Sequence, residues 1–253
     1  MDLLQGAALF AAAFVAGAIN AVAGGGSLVS FPALLAAGYP SKASNVTNSV
    51  AMWPGYIGGS YGYRSELSRQ QRRIALLAMP SILGALAGSV ILLKTPESAF
   101  DQLAPYLIIF ACVVMVLQDR IARWAQAHRL VAQSRDHVPP ALHVSIFVLA
   151  MYGAYFGAGL GILTLAVLGI MLPDDLQHSN ALKGLLSALI NLIAVVAFVT
   201  FGPVRWGPAI VMAVGALIGG YLGVGVARRL GKRGLRSAVI AYGLLSAVVM
   251  LIR

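Results

Sequence analysis

Long uncharged apolar runs recur along this chain from one end to the other. Each is close to the roughly 20 residues that an α-helix needs to cross a bilayer. The period-two alternation of a membrane β-barrel is missing, and Gly and Ala are abundant, as in closely packed membrane helices. The sequence therefore predicts an all-α polytopic membrane protein of roughly 8 to 10 segments, with apolar windows at about residues 3–22, 44–62, 74–94, 103–118, 141–156, 179–201, 207–227 and 237–252.

The net charge of +10 could suggest a nucleic-acid partner. The basic residues, however, are concentrated in three short stretches between apolar runs: residues 63–73, 119–137 and 228–236 hold 13 of the 18 Lys and Arg residues. By the positive-inside rule these stretches face the cytoplasm and both termini face outward. We therefore attribute the charge to multi-pass topology in the inner (plasma) membrane and expect no nucleic-acid partner.

The two halves of the chain resemble each other. A shift of 135 residues superposes Gly24–Leu28 on Gly159–Leu163 and Ser44-Asn45 on Ser179-Asn180. The basic stretches make residues 74–94 run outward and 207–227 inward, so the repeats are inverted, as in many secondary transporters with a site near the middle of the membrane. Within a single transmembrane domain, the sequence predicts a first repeat (1–118), a basic cytoplasmic connector (119–140) and a second repeat (141–253).

A glycine-rich break precedes a short apolar segment in each half. Residues 27–37 lie between three glycines and Tyr39-Pro40, and residues 162–172 lie between a second break and Pro173. Eleven residues of helix span about 16 Å, half a bilayer, and the sequence leaves open whether they cross or re-enter. Irregular backbone at membrane depth indicates a cavity, and helix N-termini favour an anion there.

The stretch "AGGGSLVSFPALLAAGYPSKASNVTNSVA" resembles the first signature of the sulfite exporter TauE/SafE family of sulfonate permeases. "GAYFGAGLGILTLAVLGIM" and "SNALKGLLSALINLIAVVAFV" resemble the second signature. The resemblance covers nearly the whole chain. It implies a secondary transporter of small anions such as sulfite, sulfoacetate or other sulfonates, moved by alternating access. A passive anion channel and a transporter of organic carboxylates are the alternatives.

An enzyme is not expected, because the chain has no HExxH, GxSxG or His-cluster motif. No cofactor or metal is predicted either. Glycines at the breaks would let backbone amides approach an anion, or would pack helices closely. Asn and Thr would donate hydrogen bonds to the anion, or would join helices. The predicted substrate-binding residues are Gly24, Gly25, Gly26, Asn45, Thr47, Asn48, Gly157, Gly159, Gly161, Asn180, Lys183 and Asn191.

Lys183 is the sharpest single signal, because it carries the only charge within residues 177–204. A charge inside the membrane is costly unless it is paired or solvated, so a role in binding the anion is favoured. The alternatives are that it snorkels to the cytoplasmic surface or pairs with Asp174 or Asp175.

The ion that would drive transport is not fixed by the sequence. All acidic residues lie near segment ends, so a proton would travel on the substrate or through His178, whereas sodium would use backbone carbonyls at the breaks. The oligomeric state is open as well. Four aromatic residues could line a cavity, but interfacial anchoring is the commoner role for such residues: Trp53, Tyr56, Tyr155 and Phe156.

Overall fold

The computed structural model describes residues 1–22, 25–62, 64–68, 70–127, 138–172, 176–230 and 232–252. Across these ranges the regular structure is entirely helical, as the sequence predicted. Except for one short helix, Arg64–Ser68, which forms within the basic stretch at residues 63–73, the helices coincide closely with the apolar windows and with the two short segments after the breaks. They are α1 (Leu3–Val22), α2 (Ser27–Ala36), α3 (Ser41–Gly62), α4 (Arg64–Ser68), α5 (Gln71–Lys94), α6 (Glu97–Ala127), α7 (Pro140–Tyr155), α8 (Leu160–Met171), α9 (Leu176–Phe201), α10 (Trp206–Leu230) and α11 (Lys232–Ile252).

Several helices are suited to a bilayer. In the described part of the chain, α1, α5, α6 and α9 are long and apolar enough to cross a membrane. Their outer faces expose large apolar side chains; on α5, for example, Leu83, Leu86 and Val90 are about half exposed. A water-soluble protein rarely leaves such faces uncovered. The chain is therefore a membrane protein.

The helices of the first half recur in the second half in the same order. Helices α1, α2, α3, α5 and α6 correspond to α7, α8, α9, α10 and α11. The shift of 135 residues carries Ser41, where α3 begins, onto Leu176, where α9 begins. The repeat boundaries at residues 118 and 141 stay a prediction. Helix α6 continues to Ala127, so residues 119–127 of the predicted connector are helical; their Arg, Gln and Ala are good helix formers.

The opening helix of each half packs against the other half. Gly215 and Gly219 of α10 lie against the backbone carbonyls of Phe10 and Phe14 in α1. Because residue numbers rise together along this contact, α1 and α10 are parallel. The missing Cβ atoms allow two helix backbones to come this close.

The same arrangement joins α7 to α5. Gly84 and Gly88 of α5 lie against the backbone carbonyls of Phe147 and Met151 in α7, and these two helices are also parallel. Gly84, Gly88 and Gly219 are thus packing glycines. Helix α1 of the first half therefore packs on the second half, and α7 of the second half packs on the first.

Helices α3 and α9 cross where their sequences correspond. The indole Nε1 of Trp53 donates a hydrogen bond to the carbonyl of Ala188 at 3.3 Å, and these two positions are related by the 135-residue shift. Val46, near the start of α3, lies close to Gly202, which follows α9. The two equivalent helices therefore run antiparallel, and a pseudo-twofold axis passes near the contact between Trp53 and Ala188.

Both short helices fold back beside the helix that precedes them. Gly26 lies against Ala16, and the side chain of Gln5 donates to the carbonyl of Ala37 at 2.7 Å, so α2 returns along α1. Leu142 near the start of α7 packs in one buried cluster with Leu168 near the end of α8, so α8 returns along α7. Each short helix therefore returns toward the face at which the preceding helix begins.

These directions place the described parts of the basic stretches on one face. Helix α11 runs antiparallel to α6, because Ile240 contacts Cys112 and Gly243 also lies near Ile108, one turn earlier. That face therefore holds the end of α3, α4, the start of α5, the end of α6 and the start of α11. The N-terminus, the turns at residues 38–40, 95–96 and 202–205, and the end of α11 lie on the opposite face.

The contact between α10 and α1 gives a first prediction. We expect Gly219→Ala to destabilise the protein by about 1 to 3 kcal/mol, because the added methyl group would overlap the carbonyl oxygen of Phe14. Gly207→Ala is the matched control on the same helix, since a Cβ there meets no atom within 4 Å. Melting of both variants in detergent measures the difference, and equal melting temperatures would contradict the packing described here.

Candidate functional site

The two helix breaks meet on one turn of α6. A Cβ on Gly25, in the first break, would overlap the end of the Met115 side chain. A Cβ on Gly159, in the second break, would lie 3.6 Å from Val114 and 3.9 Å from Ala111. Residues 111–115 are the middle of α6, which spans Glu97–Ala127. The breaks therefore come together inside the protein, at the middle of a helix that is long enough to cross the membrane.

An aromatic contact also joins the two repeats at this place. Phe31 of α2 and Phe156 of the second break have ring centroids 5.5 Å apart in an edge-to-face arrangement. Both side chains are buried, Phe156 to 4% exposure. The expectation that Phe156 anchors the protein at the membrane surface was wrong, because the break folds this ring inward against the opposite repeat.

The breaks use backbone conformations that glycine adopts most easily. Gly25, Gly157 and Gly159 have φ values of +102°, +77° and +78°. A residue with a side chain pays about 1 to 2 kcal/mol for the left-handed conformation. The glycines at these three positions are therefore explained by the left-handed backbone conformation of the breaks. Gly24, a predicted member of the site, lies outside the described residues.

The start of α8 directs backbone N–H groups into the second break. The carbonyl of Gly159 accepts hydrogen bonds from the amides of Ile162 and Leu163, which begins the helix. Within the described residues, the amides of Gly159 and Gly161 donate to no backbone carbonyl. Amides at a helix N-terminus, with the positive end of its dipole, can bind an anion.

Asn45 ties α3 to the second break. Its side-chain Nδ2 donates to the carbonyl of Tyr155 at 2.8 Å, directly before Phe156. Asn48 lies one turn further along α3 and is buried, at 2% exposure. The structure therefore brings Asn45, on the first repeat, against the residue at which the second break begins.

Lys183 and Asn180 form a second polar group, on α9. The ammonium Nζ of Lys183 donates to Oδ1 of Asn180 at 3.2 Å. The lysine lies two turns into α9 and is partly buried. The pairing with Asp174 or Asp175 that the sequence allowed falls outside the described residues. Under the 135-residue shift, Asn45 and Asn48 correspond to Asn180 and Lys183.

Three predicted site residues have structural contacts instead. The hydroxyl of Thr47 accepts a hydrogen bond from the amide of Arg205 at 3.0 Å, which holds the turn before α10. Asn191 donates to the carbonyl of Ser187 in its own helix. Gly26 lies against the backbone of Ala16 and is needed for the close approach of α2 to α1. These contacts favour packing roles for Thr47, Asn191 and Gly26.

Sequence reasoning missed two polar groups at the breaks. Oδ1 of Asn20 accepts a hydrogen bond from the amide of Gly26 at 2.7 Å, and so satisfies the backbone where α2 begins. The Tyr152 hydroxyl donates a hydrogen bond to the carbonyl of Ala158, which links the end of α7 to the second break. An isolated Asn in an apolar window directly before the glycines was the available signal for Asn20, whereas nothing in the sequence distinguished Tyr152. Trp53, for which anchoring at the membrane surface was the commoner expectation, joins α3 to α9.

Comparisons with known proteins find one family and several membrane transporters. The family model described as "Sulfite exporter TauE/SafE" matches residues 9–250. A "Probable membrane transporter protein" of Haemophilus influenzae is 28% identical to the chain, over 99% of this chain and 95% of that protein. The "Probable membrane transporter protein YfcA" of Escherichia coli K12 is 26% identical, over 92% of this chain and 84% of that protein. A "Probable membrane transporter protein ORF9" of a Sinorhizobium species is also 26% identical, over 96% and 91%. No solved structure gives a significant match.

The fold and the match to named transporters define the class of protein: an all-helical membrane transporter rather than an enzyme. More narrowly, the chain belongs to the sulfite exporter TauE/SafE family. The family resemblance seen in the sequence is thereby confirmed.

Proposed function

We propose that this protein is a secondary transporter of small anions, which binds its substrate between the two repeats near the middle of the membrane. The observation that carries the proposal is that Gly25 and Gly159, one from each break, both lie against the central turn of α6. Glycine-lined helix starts at that depth can present backbone amides to an anion without interference from a Cβ. We place the protein in the plasma membrane as a multi-pass protein.

Two side chains on α9 complement an anion. Lys183 supplies a positive charge, and Asn180 holds the ammonium in place. An ammonium inside a membrane protein gains most when a ligand of opposite charge balances it. The residues that we assign to the anion site are therefore Gly25, Gly157, Gly159, Gly161, Asn180 and Lys183.

Alternating access follows from the relation between the repeats. Helices α3 and α9 cross antiparallel at Trp53 and Ala188, and the opening helices α1 and α7 pack on the opposite repeats. Two equivalent, inverted units that share one central site can rock against each other and open it to either side. This arrangement favours a transporter over a channel.

Sulfur oxyanions and organosulfonates are the proposed substrates, because the family description names sulfite. These anions are compact and carry several acceptor oxygens, so they match a site built of N–H donors and one ammonium. Organic carboxylates share part of this chemistry and are included in the test as competitors.

A ligand screen tests the substrate class. We expect sulfite, sulfoacetate or another sulfonate to raise the melting temperature of the purified protein, whereas chloride does not, with all anions supplied as sodium salts at equal sodium concentration. A ligand at 100 times its Kd stabilises the folded state by about 2.7 kcal/mol. Stabilisation by carboxylates alone would show that the substrates are organic carboxylates and not sulfur oxyanions or sulfonates. No response to any anion would remove the anion site.

Sidedness gives a further prediction. In intact cells, a Cys in place of Ser98 at the start of α6 should react with a membrane-impermeant thiol reagent. A Cys in place of Ser68 in α4 should react only after the membrane is opened. Both serines are exposed, and the natural Cys112 is buried, so the background should be low. Labelling of Ser68→Cys from the outside would overturn the proposed orientation.

A further inference from the structure

Two buried side-chain oxygens in the first repeat have no hydrogen-bond donor. Asn45 and Asn48 lie one turn apart on α3 and are 1% and 2% exposed. Oδ1 of each accepts no hydrogen bond from the described residues. Polar atoms taken out of water without a partner are costly and call for an explanation.

The orientation of Asn45 is fixed by its other atom. Nδ2 donates to the carbonyl of Tyr155 at 2.8 Å. Turning the amide over would bring two carbonyl-type oxygens together, so Oδ1 is the atom left without a donor. A partner for this oxygen must be a hydrogen-bond donor or a cation, which distinguishes this place from the anion site.

The second repeat shows what occupies the equivalent position there. Asn180 and Lys183 correspond to Asn45 and Asn48 under the 135-residue shift. The ammonium of Lys183 donates to Oδ1 of Asn180 at 3.2 Å, so a tethered positive charge lies beside that oxygen. In the first repeat, Asn48 stands in the place of the lysine and contributes an oxygen.

We propose that Asn45 and Asn48 bind a sodium ion through their Oδ1 atoms, and that this ion does in the first repeat what the Lys183 ammonium does in the second. Carbonyl-type oxygens are the ligands that hard cations prefer. Helix α3 contains no acidic residue, so its ligands are neutral and suit a monovalent cation better than a divalent one.

The charges around the site are compatible with a cation. Lys42 lies one turn before Asn45, but its ammonium is held by the carbonyls of Leu93 and Thr95 at 2.8 and 2.7 Å. The helix dipole would oppose a cation within the first turn of α3, and Asn48 lies beyond that turn. If the protein is the transporter proposed above, sodium is its coupling ion. That last step rests on the proposed function, whereas the site itself does not.

Melting of the full-length protein in sodium chloride and in choline chloride, at equal concentration and with no other anion, tests the site. Sodium should raise the melting temperature of the parent protein saturably, by about 2 to 4 °C. Asn48→Lys should melt higher than the parent in choline and should lose the sodium response, because the new ammonium takes the place of the ion. Ser49→Ala, on the same helix, should respond to sodium as the parent does.

A second variant covers the case in which Asn48→Lys does not fold. Asn48→Leu removes the oxygen without adding a charge, and it should lose the sodium response. Equal melting of the parent in the two salts, or a parent-like sodium response in either Asn48 variant, would overturn the sodium site. Because chloride is the only anion present, these results do not depend on the screen for the transported anion.

Discussion

Replacing Lys183 with glutamine is expected to weaken binding of the transported anion about 30- to 150-fold. The change removes a hydrogen bond from a charged group, which contributes about 2 to 3 kcal/mol when its partner is an ion inside the protein. The lysine has the geometry for this role, because Asn180 orients its ammonium and it lies two turns into an otherwise uncharged helix. Lys183→Arg should also bind poorly, since a planar guanidinium does not replace a compact ammonium.

The matched control is Lys94→Gln, the same substitution at an exposed lysine on the opposite face. It should leave binding unchanged. Isothermal titration of folded, monodisperse protein measures the affinities, and a melting curve for each variant separates loss of binding from loss of fold. Parent-like affinity in folded Lys183→Gln would show that the lysine only snorkels, and would leave the glycine breaks to bind the anion.

The second large effect is expected at Gly159. Gly159→Ala should lower the apparent affinity for the transported anion about 10- to 100-fold. The added methyl group would lie beside the amides that we assign to the anion, and each hydrogen bond to a charge contributes about 1.5 to 3 kcal/mol. The methyl group would be in ordinary van der Waals contact with Val114, at 3.6 Å, so it creates no clash. The loss of stability should be limited to the backbone cost of about 1 to 2 kcal/mol.

Gly38→Ala is the control for that backbone cost. Gly38 has a φ of +85°, a Cβ there meets no atom within 4 Å, and it lies in the turn after α2. The two variants should therefore melt alike but differ in transport. Equal transport by both variants would mean that Gly159 is needed only for the backbone turn and not for binding the anion.

Local patterns in the sequence were sufficient to locate the helices other than the short α4. Apolar length determines where a membrane helix can form, so the windows agreed closely with the helices, and the residues between glycines and proline gave α2 and α8. Helix α6 exceeded its window because charged residues such as Arg120 and Arg123 end an apolar run without ending a helix. Hydropathy therefore locates the apolar part of a helix more reliably than it locates the ends of the helix.

The contacts between repeats could not be predicted from local patterns. The packing of α1 on α10 depends on backbone approach at Gly215 and Gly219, and the sequence does not specify which helix approaches them. The roles of Thr47 and Asn191, whose contacts favour packing, are open to a related ambiguity. A polar side chain in an apolar helix has the same sequence signature whether it binds a ligand, a distant amide or its own helix.

Exchange of labelled anion in proteoliposomes tests the central claim most directly. The protein is reconstituted with unlabelled sulfite or sulfonate inside, and uptake of the labelled anion is followed with matched and empty interiors. Alternating access at one central site predicts saturable uptake that is faster when the same anion is present inside, and Gly159→Ala should reduce it while Gly38→Ala does not. Uptake that rises linearly with concentration and ignores the internal anion would contradict the account and would indicate a channel.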